Sequence, residues 1–276
     1  MSHPHRGFTL VEVAISMVIL GLVMTGLVIS LTQQLQQSRL VNTRTALAQA
    51  SDALVAYVVA NARLPCPAVA GGNGIEATSG VGVCTRASGY LPAVTLGLSN
   101  LDAYGMFEDG WADGSRFDNS GAQSYPRAIR YSVALLTGTA QVNALTTTKL
   151  GGSTRAAVGG VLGGATPATN AGLFVCRSSA GISGAAINRC GTPANSLALN
   201  AVAVIWSQGP TGNDALGNSA DEAQNASQLG APGVAGVFVM RDPSDTGAAA
   251  GRFDDAVVWL SWGTVADKLM LAAQVP

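Results

Sequence analysis

One residue able to do chemistry is an acid in an unusual place. Glu12 is the only ionisable side chain between Phe8 and Thr32, in a segment that is otherwise apolar or weakly polar. A charged side chain at the centre of a membrane helix costs on the order of 2.5–3.5 kcal/mol, and less near a helix end. We therefore expect this carboxylate to have a partner or a function.

The other reactive groups predict a protein that is not an enzyme. His3 and His5 are the only histidines, and both precede the apolar segment. If that leader is removed, no imidazole remains for Ser-His-Asp or Cys-His catalysis or for a histidine metal site. The glycine-rich stretch VGGVLGGATPA lacks the Gly-Lys-Ser/Thr of a phosphate-binding loop. The formal net charge is −1 and no basic run occurs, so the sequence shows no footprint for nucleic acid.

Two helical patterns follow one another at the N-terminal end. A helix from Phe8 to Thr32 would be roughly 37 Å long, which is enough to span a hydrocarbon core of about 30 Å. After it, apolar or small residues recur at steps of three and four, namely Leu47, Ser51, Leu54, Val55, Val58 and Ala62. Pro65 and Pro67 then end the pattern. The spacing predicts one helix from about Phe8 to Ala62, with its second half laid against a domain.

The rest of the chain predicts a β-rich head. Short β-branched or aromatic segments are bounded by turn residues at 128–136, 172–179, 199–208, 236–242 and 254–262, and a short helix is expected over 263–273. The predicted fold class is α+β, with a long N-terminal helix packed on an antiparallel sheet with long loops. The predicted divisions are a leader (1–7), a transmembrane helix (8–32), an amphipathic helix (33–64) and a globular head (65–276).

The stretch RGFTLVEV resembles the class III leader of type IV pilins and type II secretion pseudopilins. By that resemblance, a prepilin peptidase cuts between Gly7 and Phe8 and methylates the new amino terminus at Phe8. Glu12 then becomes the fifth residue of the mature chain, where the family has an acid that neutralises the N-terminal amine of a neighbouring subunit. The alternative is a single-span anchor whose glutamate snorkels to the lipid headgroups.

The resemblance implies a structural subunit, minor or low in abundance, of a type IV pilus or a type II secretion pseudopilus. Its implied partners are prepilin peptidase, other pilin or pseudopilin subunits, the inner-membrane assembly platform and, before assembly, membrane lipid. The implied location is the inner membrane, crossed once, with the head in the periplasm. The alternative function is a membrane-tethered binding or adhesion module that recognises a surface, a sugar or DNA.

Four cysteines form two pairs that are close in sequence, Cys66 with Cys84 and Cys176 with Cys190. Neither pair is Cys-x-x-Cys, and an exported head would enter an oxidising compartment. We predict a disulfide within each pair. The alternative is that the four residues are buried free thiols.

A possible calcium site rests on a weaker resemblance. The stretch SQGPTGNDALGNSADE, from Ser207 to Glu222, resembles the loop that holds calcium in major pseudopilins, although Thr211 stands where that loop has aspartate. Asp214, Asp221 and Glu222 could supply hard oxygen ligands. They could equally be turn and cap residues. No other cofactor is expected.

Overall fold

The structure, a computed structural model, describes residues 9–80, 83–112, 127–134, 144–147, 172–184, 188–212, 219–229 and 235–271. Four α-helices lie in these ranges: α1 (Leu10–Asn61), α2 (Ala144–Thr147), α3 (Ala220–Ser227) and α4 (Trp262–Leu271). The strands are β1 (Thr78–Gly80), β2 (Val83–Cys84), β3 (Ser88–Tyr90), β4 (Arg130–Val133), β5 (Leu173–Cys176), β6 (Ser196–Ala201), β7 (Ala203–Ser207), β8 (Val237–Val239) and β9 (Ala256–Leu260). The α+β class predicted from the sequence is confirmed.

Helix α1 consists of two parts with different surroundings. Its apolar residues from Leu10 to Met24 are exposed, and Leu10 retains 87% of its accessible surface. Burial begins at Thr43 and continues on one face through Leu47, Leu54 and Val58. The helix ends at Asn61 because Ala62 adopts a left-handed conformation (φ 51°), from which its N–H still donates to Val58 O.

Among the described residues, no helix combines the length and the apolar character required to cross a membrane. The membrane span over residues 8–32 therefore stays a prediction.

The main sheet has the strand order β3-β4-β7-β9, and all its neighbours are antiparallel. Its two faces meet different partners. On one face, the Tyr131 hydroxyl donates to Pro65 O just beyond the end of α1. On the other face, Trp206 packs against Phe238 of β8 with ring centroids 4.8 Å apart. The main sheet therefore lies between α1 and a second layer of structure.

That second layer is formed by a sheet of order β6-β5-β8 together with α3. The pairing of β5 with β6 is antiparallel, whereas β5 and β8 are parallel. Asn225 of α3 attaches the helix to β8, because its side chain donates to Val239 O (2.8 Å) and accepts from Val239 N–H (2.7 Å).

Three features of the head differ from the sequence prediction. The single strand expected over 199–208 is two strands in two sheets, β6 and β7, which join at Val202. The bend there coincides with a positive φ of 57° at Asn200, packed closely against Gly172. The head is not purely antiparallel, and α3 occupies part of the stretch expected to be a loop. Strands β1 to β3 were not predicted, because each has only two or three residues.

Candidate functional site

The N-terminal turn of α1 holds the acid singled out by the sequence. Thr9 is extended (φ −76°, ψ 150°), and its Oγ1 accepts a hydrogen bond from the Glu12 backbone N–H at 3.3 Å. Thr9 and Glu12 thus have the Ser/Thr-x-x-Glu spacing of a helix N-cap. The Glu12 side chain is exposed in the first turn, where the helix dipole favours a negative charge. Gly7 and Phe8, the predicted cleavage and methylation residues, lie outside the described residues.

The apolar surface around Glu12 is available for contact. Leu10, Val11 and Met17 are each more than half exposed, and the acid is the only charge on this part of the helix. An isolated carboxylate in such a surface can specify the register of a neighbouring helix when that helix brings a positive charge. It is unfavourable in lipid when no such charge is present.

The end of α1 is joined to the head by a disulfide. Cys66 and Cys84 are bonded (S–S 2.04 Å, Cα–Cα 5.2 Å), which connects the segment after the helix to β2. Cys176 and Cys190 are bonded in the second sheet region (S–S 2.02 Å, Cα–Cα 5.5 Å). The structure thus supports the two disulfides predicted from the sequence.

A half-buried ion pair reinforces the same junction. Arg63 donates to both carboxylate oxygens of Glu76 at 2.6 and 3.0 Å, and the Cys66 N–H donates to Glu76 Oε2 at 3.0 Å. The Arg63 guanidinium also lies over the ring of Tyr57, 5.3 Å from its centroid. Burial alone would raise the pKa of Glu76, but these hydrogen bonds outweigh it and the pKa is lowered. Sequence analysis did not identify this pair, since nothing in the chain links residues 63 and 76 before the fold is known.

The residues of the suspected calcium loop are not brought together as one set. Asp214 lies outside the described residues. Asp221 accepts from Ser179 N–H through Oδ1 and from Arg241 Nε through Oδ2, both at 2.7 Å. Glu222 points elsewhere, and its Oε1 accepts the Asp254 N–H at 2.8 Å. Asp221 therefore binds the second sheet region to Arg241, whereas Glu222 lies beside the start of β9.

Two aspartates that the sequence analysis assigned only to a strand accompany Glu222. Carboxylate oxygens of Glu222, Asp254 and Asp255 lie within 4.8 Å of one another. Asn225 donates to Asp255 Oδ2 at 2.7 Å. The available signal was the Asp-Asp pair preceding β9, but its partner on α3 is about thirty residues away and could be recognised only in the fold.

A further acidic stretch includes Glu108 and Asp109, and its residues beyond 112 lie outside the described ranges. Asp109 is buried and accepts hydrogen bonds from Ser207 Oγ and from the Trp111 N–H. Burial raises the pKa of Asp109, and these hydrogen bonds oppose that change. Both contacts are internal to the fold, which favours a structural role for this acid.

Comparison with known proteins bears on the N-terminal motif. Residues 2–28 match the family model described as the prokaryotic N-terminal methylation motif. The chain thus carries the class III prepilin leader of type IV pilins and pseudopilins, and the resemblance noted in RGFTLVEV is confirmed. By this motif the chain resembles precursors of structural subunits rather than enzymes. No curated protein and no solved structure matches the chain.

Proposed function

We propose that this chain is a structural subunit, minor or low in abundance, of a type IV pilus or a type II secretion pseudopilus. The observation that carries the proposal is the methylation motif over residues 2–28 together with Glu12, exposed in the first turn of α1. Prepilin peptidase cuts between Gly7 and Phe8 and methylates Phe8. The mature chain enters the filament through α1.

Charge pairing explains why the acid is needed. Cleavage creates an ammonium group at Phe8 that is unfavourable in an apolar environment, as is the nearby carboxylate of Glu12. In two staggered neighbouring helices the amine of one subunit can pair with the carboxylate of the other, which offsets both penalties. The pair also fixes the axial offset between the subunits.

The exposed first part of α1 supports the same assembly. Its apolar side chains between Leu10 and Met24 are not covered by the described part of the head. In the proposed cycle, inner-membrane lipid covers them before assembly, with the head in the periplasm. Neighbouring α1 helices cover them in the filament, to which the assembly platform delivers the subunit.

The size of the head favours a minor subunit. More than two hundred residues follow the helix, including long segments between the strands of the main sheet. A repeated filament core needs only the helix and a compact head, so the additional segments are suited to a subunit present in few copies.

Leader processing is the first test. Intact-mass analysis of the membrane-extracted chain should show the loss of residues 1–7 and the gain of one methyl group on Phe8. A chain that retains Met1 in cells with active prepilin peptidase would refute the proposal.

The acid provides the second test. Glu12→Val should be processed and inserted normally, because it removes the unfavourable group, yet should be at least tenfold depleted from sheared filaments. Ser16→Val is the matched control, since it adds a similar apolar side chain one turn along and leaves the acid in place. Equal amounts of the Glu12→Val variant and the wild type in filaments would contradict the pairing. A processed wild-type chain that never enters filaments would favour the membrane-tethered binding module instead.

A further inference from the structure

A cluster of acids lies away from the N-terminal motif, where α3 meets the start of β9. Carboxylate oxygens of Glu222, Asp254 and Asp255 all lie within 4.8 Å of one another. Glu222 and Asp255 are buried, and Asp254 is half-buried. We propose that these three carboxylates bind a divalent cation, Ca²⁺.

An unpartnered buried oxygen provides independent support for a ligand. Glu222 is only 2% exposed, and its Oε1 accepts the Asp254 N–H. Its Oε2 is buried and has no hydrogen-bond partner. Leaving a charged acceptor buried and unsatisfied is unfavourable, and a cation supplies the missing positive charge without requiring a donor.

A second buried side-chain oxygen without a hydrogen-bond partner lies at the same end of the main sheet. Gln208 is 5% exposed, and its Oε1 is also buried without a partner. Ser207, the last residue of β7, pairs with Ala256, the first residue of β9, and Gln208 and Asp255 are the residues that adjoin this last pair. An amide oxygen is the type of neutral ligand that Ca²⁺ takes in addition to carboxylates.

The spacing of the carboxylate oxygens lies within the range that calcium allows. Ca²⁺–O distances of about 2.3–2.6 Å allow two ligand oxygens to lie up to about 5 Å apart on opposite sides of the ion. Mg²⁺–O distances of about 2.0–2.1 Å limit that separation to about 4.2 Å. All the clustered oxygens lie within 4.8 Å of one another, which is inside the limit for calcium.

The local charges compensate Glu222 only in part, since Arg252 acts on it from a distance and opposes the effect of burial, which raises its pKa. Arg252 Nε donates to Asp254 Oδ2 at 2.9 Å, so that carboxylate already has a cation. No ion pair of the described residues includes Glu222. Burial, and then the charge of Asp254, raise the pKa of Glu222. Burial likewise raises the pKa of Asp255 well above its ordinary value. A divalent ion between them would favour the charged forms.

The cluster can be reached from solvent. Asp255 lines a groove of about 540 Å³ between α1 and the segment from Met240 to Pro243, with Leu47 and Ser51 on the helix side. An ion can therefore enter beside Asp255 without unfolding the head.

This site shares only Glu222 with the set that the loop resemblance implied. Asp221 is excluded because it is not one of the three carboxylates that lie within 4.8 Å of one another, and its oxygens instead accept hydrogen bonds from Ser179 and Arg241. Asp221 is nevertheless an adjacent acid on the same helix, which makes it the matched control.

The test uses the full chain in detergent, freed of metal with EDTA and titrated with CaCl₂ at pH 7. Isothermal titration calorimetry should show one site, and calcium at one hundred times Kd should raise Tm by roughly 5–10 °C. Glu222→Gln keeps the side-chain shape and should weaken binding at least tenfold. Asp221→Asn should bind within about twofold of the wild type, even if its Tm is lower. MgCl₂ at the same concentration should give a much smaller shift.

Three results would overturn the proposal. The first is a wild-type chain that binds no calcium and has the same Tm in CaCl₂ and in EDTA. The second is Glu222→Gln, folded by circular dichroism, with wild-type affinity. The third is a Tm that rises as the pH falls from 7 to 5 and does not respond to calcium, because a shared proton would then occupy the place of the ion.

Discussion

Opening the Cys66–Cys84 disulfide should lower the free energy of unfolding by about 3 kcal/mol. The two cysteines are separated by 18 residues in sequence, and closing a loop of that length removes about 3 kcal/mol of conformational freedom from the unfolded chain at 25 °C. Cys84→Ser is the suitable change, because Cys84 is only half-buried. Cys66, which is fully buried, then remains as a small apolar thiol.

The second disulfide provides a comparison for the loss of unfolding free energy expected at the first. Cys176 and Cys190 are separated by 14 residues, and the logarithmic dependence on loop length makes the two contributions equal within about 0.3 kcal/mol. Cys190→Ala should therefore lose a similar amount plus the packing of a fully buried sulfur. If Cys190→Ala loses more free energy of unfolding than Cys84→Ser, the difference therefore measures packing rather than loop closure.

Urea-induced unfolding of the full chain in detergent, followed by tryptophan fluorescence, measures both losses. Cys84→Ser should also lower Tm by roughly 6–12 °C, at about 2–4 °C per kcal/mol for a domain of this size. Reducing the remaining bridge of this variant should subtract about 3 kcal/mol more. A loss below about 1 kcal/mol for Cys84→Ser, with the second bridge intact by peptide mapping, would refute the loop-closure explanation.

Two further changes test the contacts inside the head. Glu76→Gln should lower the free energy of unfolding by about 1.5–3 kcal/mol at pH 7, because the ion pair with Arg63 is lost. The pKa of Glu76 lies below its ordinary value of 4.5 in the folded chain. Its stabilising effect is therefore complete above pH 4.5 and disappears as the pH falls through the lowered value, so the variant and the wild type should converge in urea titrations at acidic pH. Asp52→Asn, exposed on α1, should show no such convergence. Asn225→Ala should lose roughly 3 kcal/mol or more, since it leaves the N–H and C=O of Val239 unsatisfied. A loss under 1 kcal/mol in the same assay would mean that water replaces the amide.

Features that depend on neighbours in sequence could be predicted, and α1 shows why. Three local features predict this helix: its apolar first part, its stripe at steps of three and four, and the prolines beyond it. Each of them can be recognised from residues that are close together in the sequence. The structure accordingly buries Leu47, Leu54 and Val58 and ends the helix at Asn61. The cysteine pairs belong to the same class, since each joins residues in one short stretch.

Features that depend on tertiary contact could not be predicted, and α3 is the clearest case. Its eight residues include no large apolar side chain that would mark a helix face, and Ser219, whose Oγ accepts the Glu222 N–H, lies in the stretch that was compared with a calcium loop. What stabilises the helix is Asn225 against Val239, a contact across fourteen residues. The cluster of Glu222 with Asp254 and Asp255 has the same origin, since it exists only once α3 is held beside β9.

The two regions of the chain perform separable tasks, and the junction after α1 connects them. In the proposed function, assembly acts on Glu12, near the start of a helix of 52 residues. The head meets the far end of that helix through three independent contacts: the Cys66–Cys84 bridge, the Arg63–Glu76 pair and the hydrogen bond from Tyr131 to Pro65 O. These contacts attach to residues two to five positions beyond the helix end, and they reach β2, the segment before β1 and the main sheet through β4, so a force applied to α1 is shared among three parts of the head. Changes at the junction should therefore lower the stability of the head without altering leader cleavage. Changes at Glu12 should instead reduce assembly into filaments without lowering the stability of the head.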